Sequence, residues 1–234
     1  MEDAFTSGQL FLFFLRGVLT AVMPFAAAFY MRKKYGSSLY PVIVGFVSLM
    51  LLSFPRQLIR GIFVQGSDSF AAKFLFSVIV GAIFEECGRY AAMRLAMPNH
   101  DRTADAVCYG IGHGGLELLM TSVRQFGIFA DALGQDGTQE HLAAISEQGL
   151  LTFLEITIGS TGTLAFHIAM SVLILRAVHY ENSRKLIPIA IFCHVLTNYV
   201  NLCFGTIADT LLTVLICVFV YYQGRQYQNE SEMW

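Results

Sequence analysis

The stretch "EECGRY", residues 85–90, places two adjacent carboxylates and an arginine at the end of a strongly apolar run. Ionisable side chains inside a bilayer are costly, face the interior of a helix bundle and mark functional sites. A carboxylate held beside a cation can act as a general base that activates water. Glu85, Glu86 and Arg89 are therefore the first candidates for chemistry in this chain.

Three histidines stand in comparable apolar surroundings. They are His113 in "GIGHGGLE", His167 in "LAFHIAM" and His194 in "FCHVLTNY". Residues four apart share a helix face, so three of the candidate helices each present a polar pair to one side. The pairs are Glu85 with Arg89, His113 with Glu117, and His194 with Asn198.

Two chemistries fit these residues. In the first, Glu85 or Glu86 is a general base, and neutral histidines and Asn198 donate hydrogen bonds to a developing oxyanion. This would hydrolyse an amide bond within the membrane.

In the second chemistry, histidine nitrogens and a carboxylate oxygen bind Zn²⁺, whose usual ligands they are. The candidate metal ligands are His113, His167 and His194 with Glu85, Glu86 or Glu117. The HExxH helix of many zinc peptidases is absent, because "HGGLE" puts the carboxylate four residues after the histidine. Both chemistries stay open, and the sequence alone establishes no cofactor.

The composition is that of a membrane protein. Of 234 residues, 55% are hydrophobic and 14% charged, whereas a soluble domain has about 25% charged residues. Mean hydropathy is +0.57. The net charge of −2 and the scattered basic residues argue against nucleic-acid binding, and the five cysteines show no spacing typical of a disulfide framework or a thiolate zinc site.

About 20 mostly apolar residues cross the hydrocarbon core as a helix, and the sequence contains seven such segments. We predict an all-α fold, a single domain over residues 1–234 that is a polytopic bundle of seven transmembrane helices. The segments are residues 9–31, 40–60, 70–94, 104–130, 150–176, 186–201 and 206–222.

Alternate connections carry the lysines and arginines, so the positive-inside rule puts the N-terminus outside and the C-terminus in the cytoplasm. The long polar stretch 131–149 is then an external connection, which we expect to be solvated, and a loop that gates substrate entry or binds a partner is the alternative. For Arg56, near the end of the second segment, contact with lipid headgroups and pairing between segments both stay open.

The polar residues also share one depth. With a rise of about 1.5 Å per residue, Glu85, His113 and His167 lie about 14 Å, and His194 about 12 Å, from the cytoplasmic ends of their segments. Because four helices contribute to one layer, we predict a common site slightly to the cytoplasmic side of the midplane.

"EECGR", "HGGLE", "LAFHIAM" and "HVLTN" together resemble the YhfC-like family of bacterial membrane proteins. More distantly they resemble the CAAX-protease and bacteriocin-processing (CPBP) superfamily of intramembrane proteases. That resemblance implies Glu85 or Glu86 as the water-activating base, His113 or His167 as its assistant, and His194 with Asn198 as the oxyanion site. Only Cys87 and Gly88 separate the glutamates from the arginine, where three residues are usual, so the resemblance does not decide which glutamate is the base.

The order of motifs also resembles the anterior-pharynx-defective scaffold subunit of γ-secretase, which keeps intramembrane histidines without being the protease. Our leading hypothesis is an intramembrane endopeptidase of the bacterial cytoplasmic membrane, glutamic or metal-dependent, acting on a transmembrane or lipidated peptide. A non-catalytic membrane scaffold or chaperone is the alternative. A proton-coupled transporter is a second alternative, although the sequence shows neither an inverted repeat nor paired broken helices.

Overall fold

The structure, a computed structural model, describes residues 6–63, 69–134 and 139–228. Over these ranges the chain is helical and contains no strand. The α-helices are α1 (Ser7–Tyr35), α2 (Tyr40–Phe63), α3 (Phe70–Phe74), α4 (Gly81–Ala96), α5 (Thr103–Gly134), α6 (Gln139–Ser146), α7 (Leu150–His179) and α8 (Leu186–Gln228). The all-α prediction is confirmed.

Local sequence explains where α1 begins and ends. The Thr6 side chain accepts a hydrogen bond from the Gln9 backbone N–H at 3.2 Å, and the Gln9 side chain accepts one from the Thr6 N–H at 2.7 Å. This reciprocal pair is a capping box. At the other end Gly36 adopts φ 62°, a left-handed conformation that costs glycine little.

The predicted third segment, 70–94, is not one regular helix. Between α3 and α4 lies a π-helical segment, Leu75–Val80. Single π-helical turns are rare and often lie next to functional sites. Here the irregular turns come directly before the helix that carries Glu85 and Glu86.

The predicted sixth and seventh segments form one element, α8, which turns sharply at Gly205 (φ 81°, ψ −177°). Before the turn, His194 packs against His167 of α7. After it, Thr206 lies beside Gly159, and the Cys217 thiol contacts the Ala165 carbonyl oxygen. The first arm (186–204) therefore runs antiparallel to α7 and the second arm (206–228) runs parallel to it, so α8 is a hairpin.

Helix α5 forms the centre of the bundle and packs against α1, α2 and α7. All nine residues from 108 to 116 are buried, which covers every side of the helix. Glycines make this possible: a Cβ at Gly112 would lie 1.9 Å from the Val42 carbonyl oxygen, and one at Gly110 would lie 2.5 Å from the Ile168 Cα. Small residues let helix backbones approach closely. His113 directly follows Gly112 in this tightly packed stretch.

Helix α6 packs onto the end of the bundle formed by α1 and α5. Ile145 joins Phe13 and Ile128 in a small apolar cluster, and the fully buried Gln148 accepts a hydrogen bond from Arg16 at 2.6 Å. Ile145 and Gln148 are buried, whereas Glu140, Ala143 and Glu147 are exposed, so the expectation of a solvated connection holds for only part of residues 140–149. Residues 135–138 of that predicted connection lie outside the described residues.

Four described helices are long and apolar enough to cross a membrane by length and composition. They are Ser7–Tyr35, Tyr40–Ile59, Leu150–His179 and Glu181–Gln223. Helices α4 and α5 carry more polar residues, and α5 is enclosed by its neighbours along its middle. A helix in that position does not need an apolar surface on every side.

The packing of α5 leads to a matched pair of substitutions. We expect Gly112→Ala to lower the apparent unfolding temperature of the detergent-purified protein, because its methyl group would overlap the Val42 carbonyl. Gly127→Ala lies on the same helix, and its Cβ meets nothing within 4 Å among the described residues. It should leave the unfolding temperature unchanged or slightly raised, since alanine is the better helix former. Equal stability of the two variants would contradict the close approach of α2 and α5.

Candidate active site

The predicted polar residues lie together at the junction of α4, α5, α7 and α8. The ring centroids of His113 and His167 are 5.1 Å apart, and those of His167 and His194 are 5.9 Å apart. Glu85 lies between His113 and His194. The four helices thus bring their polar side chains into one cluster, while the chemical role of each residue stays a prediction.

Glu86 and Arg89 form a fully enclosed ion pair, with 0% exposure of both side chains. Arg89 Nε donates to Glu86 Oε2 at 3.0 Å, and His194 Nδ1 is 2.8 Å from Glu86 Oε1. The predicted face-sharing pair of Glu85 and Arg89 is not the contact observed, because the arginine turns to the residue three positions earlier. Glu86 is thereby fixed between α4 and α8.

The same guanidinium reaches α7. Arg89 Nη1 donates to the Ser171 hydroxyl at 2.6 Å and to the His167 carbonyl at 3.2 Å, and Nη2 lies 3.0 Å from His167 Nδ1. The Ser171 hydroxyl in turn donates to the His167 carbonyl at 2.7 Å. Arg89 therefore holds α4, α7 and the backbone around His167 in one arrangement.

Glu85 has a different environment from its neighbour. Its Oε1 is paired with Arg56 Nη1 of α2, a residue for which the sequence left contact with lipid headgroups or pairing between segments open. Its Oε2 lies 3.7 Å from His113 Nε2 and 3.8 Å from His194 Nε2. Both distances exceed those of hydrogen bonds, so one carboxylate oxygen faces two imidazole nitrogens without bonding to either.

His113 is held from behind by α2. Its Nδ1 lies 3.5 Å from the Ser48 hydroxyl, which is 2.5 Å from the Tyr109 hydroxyl and donates to the Gly45 carbonyl at 2.8 Å. The ring of Tyr109 stacks on that of His113 with centroids 5.9 Å apart. The buried Nε2 of His113 has no hydrogen-bond partner among the described residues.

Glu117 does not pair with His113 on its own helix. Its Oε2 instead lies 2.8 Å from His167 Nε2 on α7. His167 therefore joins the enclosed Arg89 to a carboxylate whose side chain is 51% exposed.

The exposed edge of the cluster opens into a cavity of about 410 Å³. Five of the predicted site residues line it: Glu85, Glu117, His167, His194 and Asn198. Arg56, Asn201 and Asp209 add polar groups, and the π-helical segment contributes Phe76, Val78 and Val80.

Glu86, Arg89 and His113 are fully enclosed behind this wall. A polar cavity inside an apolar helix bundle is a place where a peptide bond and water could meet.

Comparison with known proteins agrees with this picture. A model of the family described as YhfC intramembrane metalloprotease matches residues 19–221. The chain belongs to that family. It is also 29% identical over 212 residues to the uncharacterized membrane protein YhfC of Bacillus subtilis (strain 168), an alignment that covers 79% of this chain and 80% of that protein. No solved structure matches the chain.

Membership of the YhfC family and the long apolar helices together identify a multi-pass integral membrane protein. The resemblance read from "EECGR" and the histidine motifs is thereby confirmed at the level of the family. The family description names a metalloprotease, in agreement with the predicted protease function. The next question is whether these residues can bind a metal ion.

The donor atoms fit a metal ion. Ligand atoms of Glu85, His113 and His167 all lie within 4.8 Å of one another, and the buried His113 Nε2, which has no hydrogen-bond partner among the described residues, faces the Glu85 carboxylate at 3.7 Å. Two nitrogens and a carboxylate oxygen are typical zinc ligands. The site thus contains the donor atoms that a metalloprotease needs to bind its metal ion.

Arg56, Ser48, Tyr109 and Ser171 contact the site and were not predicted to do so. A basic residue inside an apolar segment was the signal for Arg56. For the hydroxyl residues the sequence carries no signal, because serine and tyrosine are common in apolar helices and only the helix rotation turns them inward.

The enclosed pair makes a prediction about stability. Arg89→Gln would leave Glu86 as a buried, partly unpaired charge, which costs about 3–5 kcal/mol. In detergent the apparent unfolding temperature should therefore fall by at least about 6 °C. Arg184→Gln removes a similar i,i+3 pair whose side chains are 58% and 87% exposed, and such pairs contribute about 0–1 kcal/mol. If both variants unfold at the same temperature, the Arg89 contacts do not support the fold.

Proposed function

We propose that this protein is an intramembrane endopeptidase that depends on a metal, with zinc as the ion that suits its ligands. The observation that carries the proposal is the cavity, where Glu85, Glu117, His167, His194 and Asn198 converge inside a membrane helix bundle. The family description points in the same direction.

Glu85 and His113 would hold the metal, with a third ligand from His167 or His194. Zinc, when bound, supplies Lewis acidity toward a peptide carbonyl and toward water. Arg56, through its ion pair with Glu85 Oε1, keeps Oε2 turned to the imidazoles. Glu86 and Arg89 would act indirectly, since ligand-orienting partners fix ring direction and ligand strength.

Of the three candidate carboxylates, Glu85 and Glu117 face the cavity and Glu86 does not. Because Glu85 is already proposed as a metal ligand, the proposed general base is Glu117, and Glu86 is better suited to orienting His194. Asn198 lines the cavity beside His194, and its side-chain N–H group could donate to the oxygen of a tetrahedral intermediate.

For the membrane arrangement we propose seven transmembrane helices in one domain, with the N-terminus outside and the C-terminus in the cytoplasm. Tyr40 supports it, because its hydroxyl donates to the Ala96 carbonyl at 2.8 Å and its ring stacks on His100. The basic end of α1 and the basic connection after α4 therefore lie at the same end of the bundle.

The substrate we propose is a membrane-embedded peptide segment, transmembrane or lipidated. The polar wall from α5, α7 and α8 suits a locally unwound backbone, which exposes N–H and C=O groups that must be satisfied within the membrane. The apolar side chains of the π-helical segment suit the flanking lipid-soluble part.

Proteolysis is tested by sequencing new peptide termini in membranes of a bacterial host that expresses the protein. We expect termini inside apolar segments with the unaltered protein, and at least a tenfold loss of them with Glu85→Gln. Arg184→Gln, far from the cavity, is the matched control and should behave like the unaltered protein. An identical set of termini for the unaltered protein and for Glu85→Gln and Glu86→Gln variants would overturn the proposal, and a co-purifying membrane partner would then favour a scaffold.

The orientation is tested with C-terminal fusions. A C-terminal fluorescent protein that folds only in the cytoplasm should fluoresce, and a C-terminal alkaline phosphatase, active only outside, should be inactive. The reverse pattern would contradict an odd number of spans with the N-terminus outside.

A further inference from the structure

Proximity and hydrogen bonding disagree about which histidine completes the metal site. By proximity, the third ligand after Glu85 and His113 is His167. The hydrogen bonds favour His194 instead. Both ring nitrogens of His167 are hydrogen-bonded, whereas in His194 only Nδ1 is. We propose that the metal is held by Glu85, His113 and His194, and that His167 stays outside its ligands, bound to Arg89 and Glu117. This inference rests on the proposed metal-dependent function.

The hydrogen bonds of His167 fix which of its nitrogens carries the proton. Arginine only donates hydrogen bonds, so His167 Nδ1, 3.0 Å from Arg89 Nη2, must be the acceptor. The proton of a neutral ring then sits on Nε2, which donates to Glu117 Oε2 at 2.8 Å. A metal on Nε2 would displace that proton to Nδ1, where it would meet the N–H of Arg89.

Arg89 is not free to turn away from that contact. It is fully enclosed, and its other N–H groups already bind Glu86, Ser171 and the His167 carbonyl. Moving it would leave buried polar groups without hydrogen-bond partners, which destabilises the fold. The network that holds α4 to α7 therefore opposes metal binding by His167.

His194 has the opposite arrangement. Its Nδ1 lies 2.8 Å from Glu86 Oε1, and because a carboxylate only accepts, the proton is on Nδ1. In a neutral ring the lone pair is then on Nε2, which faces Glu85 Oε2. A carboxylate behind a histidine ligand is the common supporting arrangement in zinc sites.

His113 is arranged in the same way. The hydroxyl proton of Ser48 goes to the Gly45 carbonyl and Tyr109 donates to Ser48, so the Ser48 oxygen can accept from His113 Nδ1. The Nε2 lone pair is again left toward Glu85, and it has no partner in the described part of the chain.

The distances from Glu85 Oε2 to His113 Nε2 and to His194 Nε2 are close to the separation of two ligands on one metal ion. Tetrahedral ligands at zinc distances of about 2.1 Å lie about 3.4 Å from one another. The two nitrogens are 3.7 and 3.8 Å from Oε2, too long for hydrogen bonds and only slightly longer than the ligand separation. To share one ion, the His113 and His194 nitrogens would also have to approach each other, since the donor atoms found within 4.8 Å of one another in the described part of the chain are those of Glu85, His113 and His167.

The inference is tested by zinc binding to the full-length protein in detergent, measured as metal content and by competition with a chromogenic chelator. We expect about one zinc per chain in the unaltered protein. His113→Gln and His194→Gln should each weaken zinc binding by more than roughly 100-fold, and Glu86→Gln by about 10–100-fold. His167→Gln should change it by less than about tenfold.

Zinc binding that is lost in His167→Gln and kept in His194→Gln would overturn the inference and leave the proposed function standing. An unaltered protein that takes up no zinc would overturn both the inference and the metal-dependent function. Because a variant could fail to fold, X-ray absorption of the zinc-loaded unaltered protein gives a second measurement. Two imidazole ligands are expected, and three or more would contradict the exclusion of His167.

Discussion

One buried guanidinium organises this protein. Arg89 is fully enclosed, and it reaches Glu86 on its own helix together with Ser171, the His167 carbonyl and His167 Nδ1 on α7. Through Glu86 it also controls His194 on α8. A charge in this position is tolerated only when its N–H groups are paired. The need to satisfy one side chain thus fixes the relative placement of three helices and of two histidine rings.

Around this charge the fold divides the polar residues by access to solvent. Glu86, Arg89 and His113 lie behind the cavity wall, and Glu85, Glu117, His167 and His194 lie at it. The two adjacent glutamates therefore have different tasks although they differ by a single position. Successive helix residues point about 100° apart, so one carboxylate of the pair turns to the arginine while the other turns to the cavity.

Much of this could be predicted from the sequence, and the reason is geometric. Depth along a membrane helix follows from counting residues. The proximity of Glu85 to the three histidines could therefore be predicted from their positions in the sequence. Partner choice was not, because it depends on helix rotation and tilt. Arg89 binds Glu86 rather than Glu85, Glu117 binds a histidine on another helix, and Arg56 arrives from α2. The π-helical segment and the burial of Gln148 likewise have no signature in hydrophobic periodicity.

The turn at Gly205 has a practical consequence. One residue reverses the chain, and Asn201 on one arm donates to Asp209 on the other at 3.1 Å. So short a turn contains no extended segment that an added protease could cleave. It is also too short to accept an inserted tag. Labelling that part of the chain would require a single substituted side chain, since a longer insertion would separate Asn201 from Asp209 in the cavity wall.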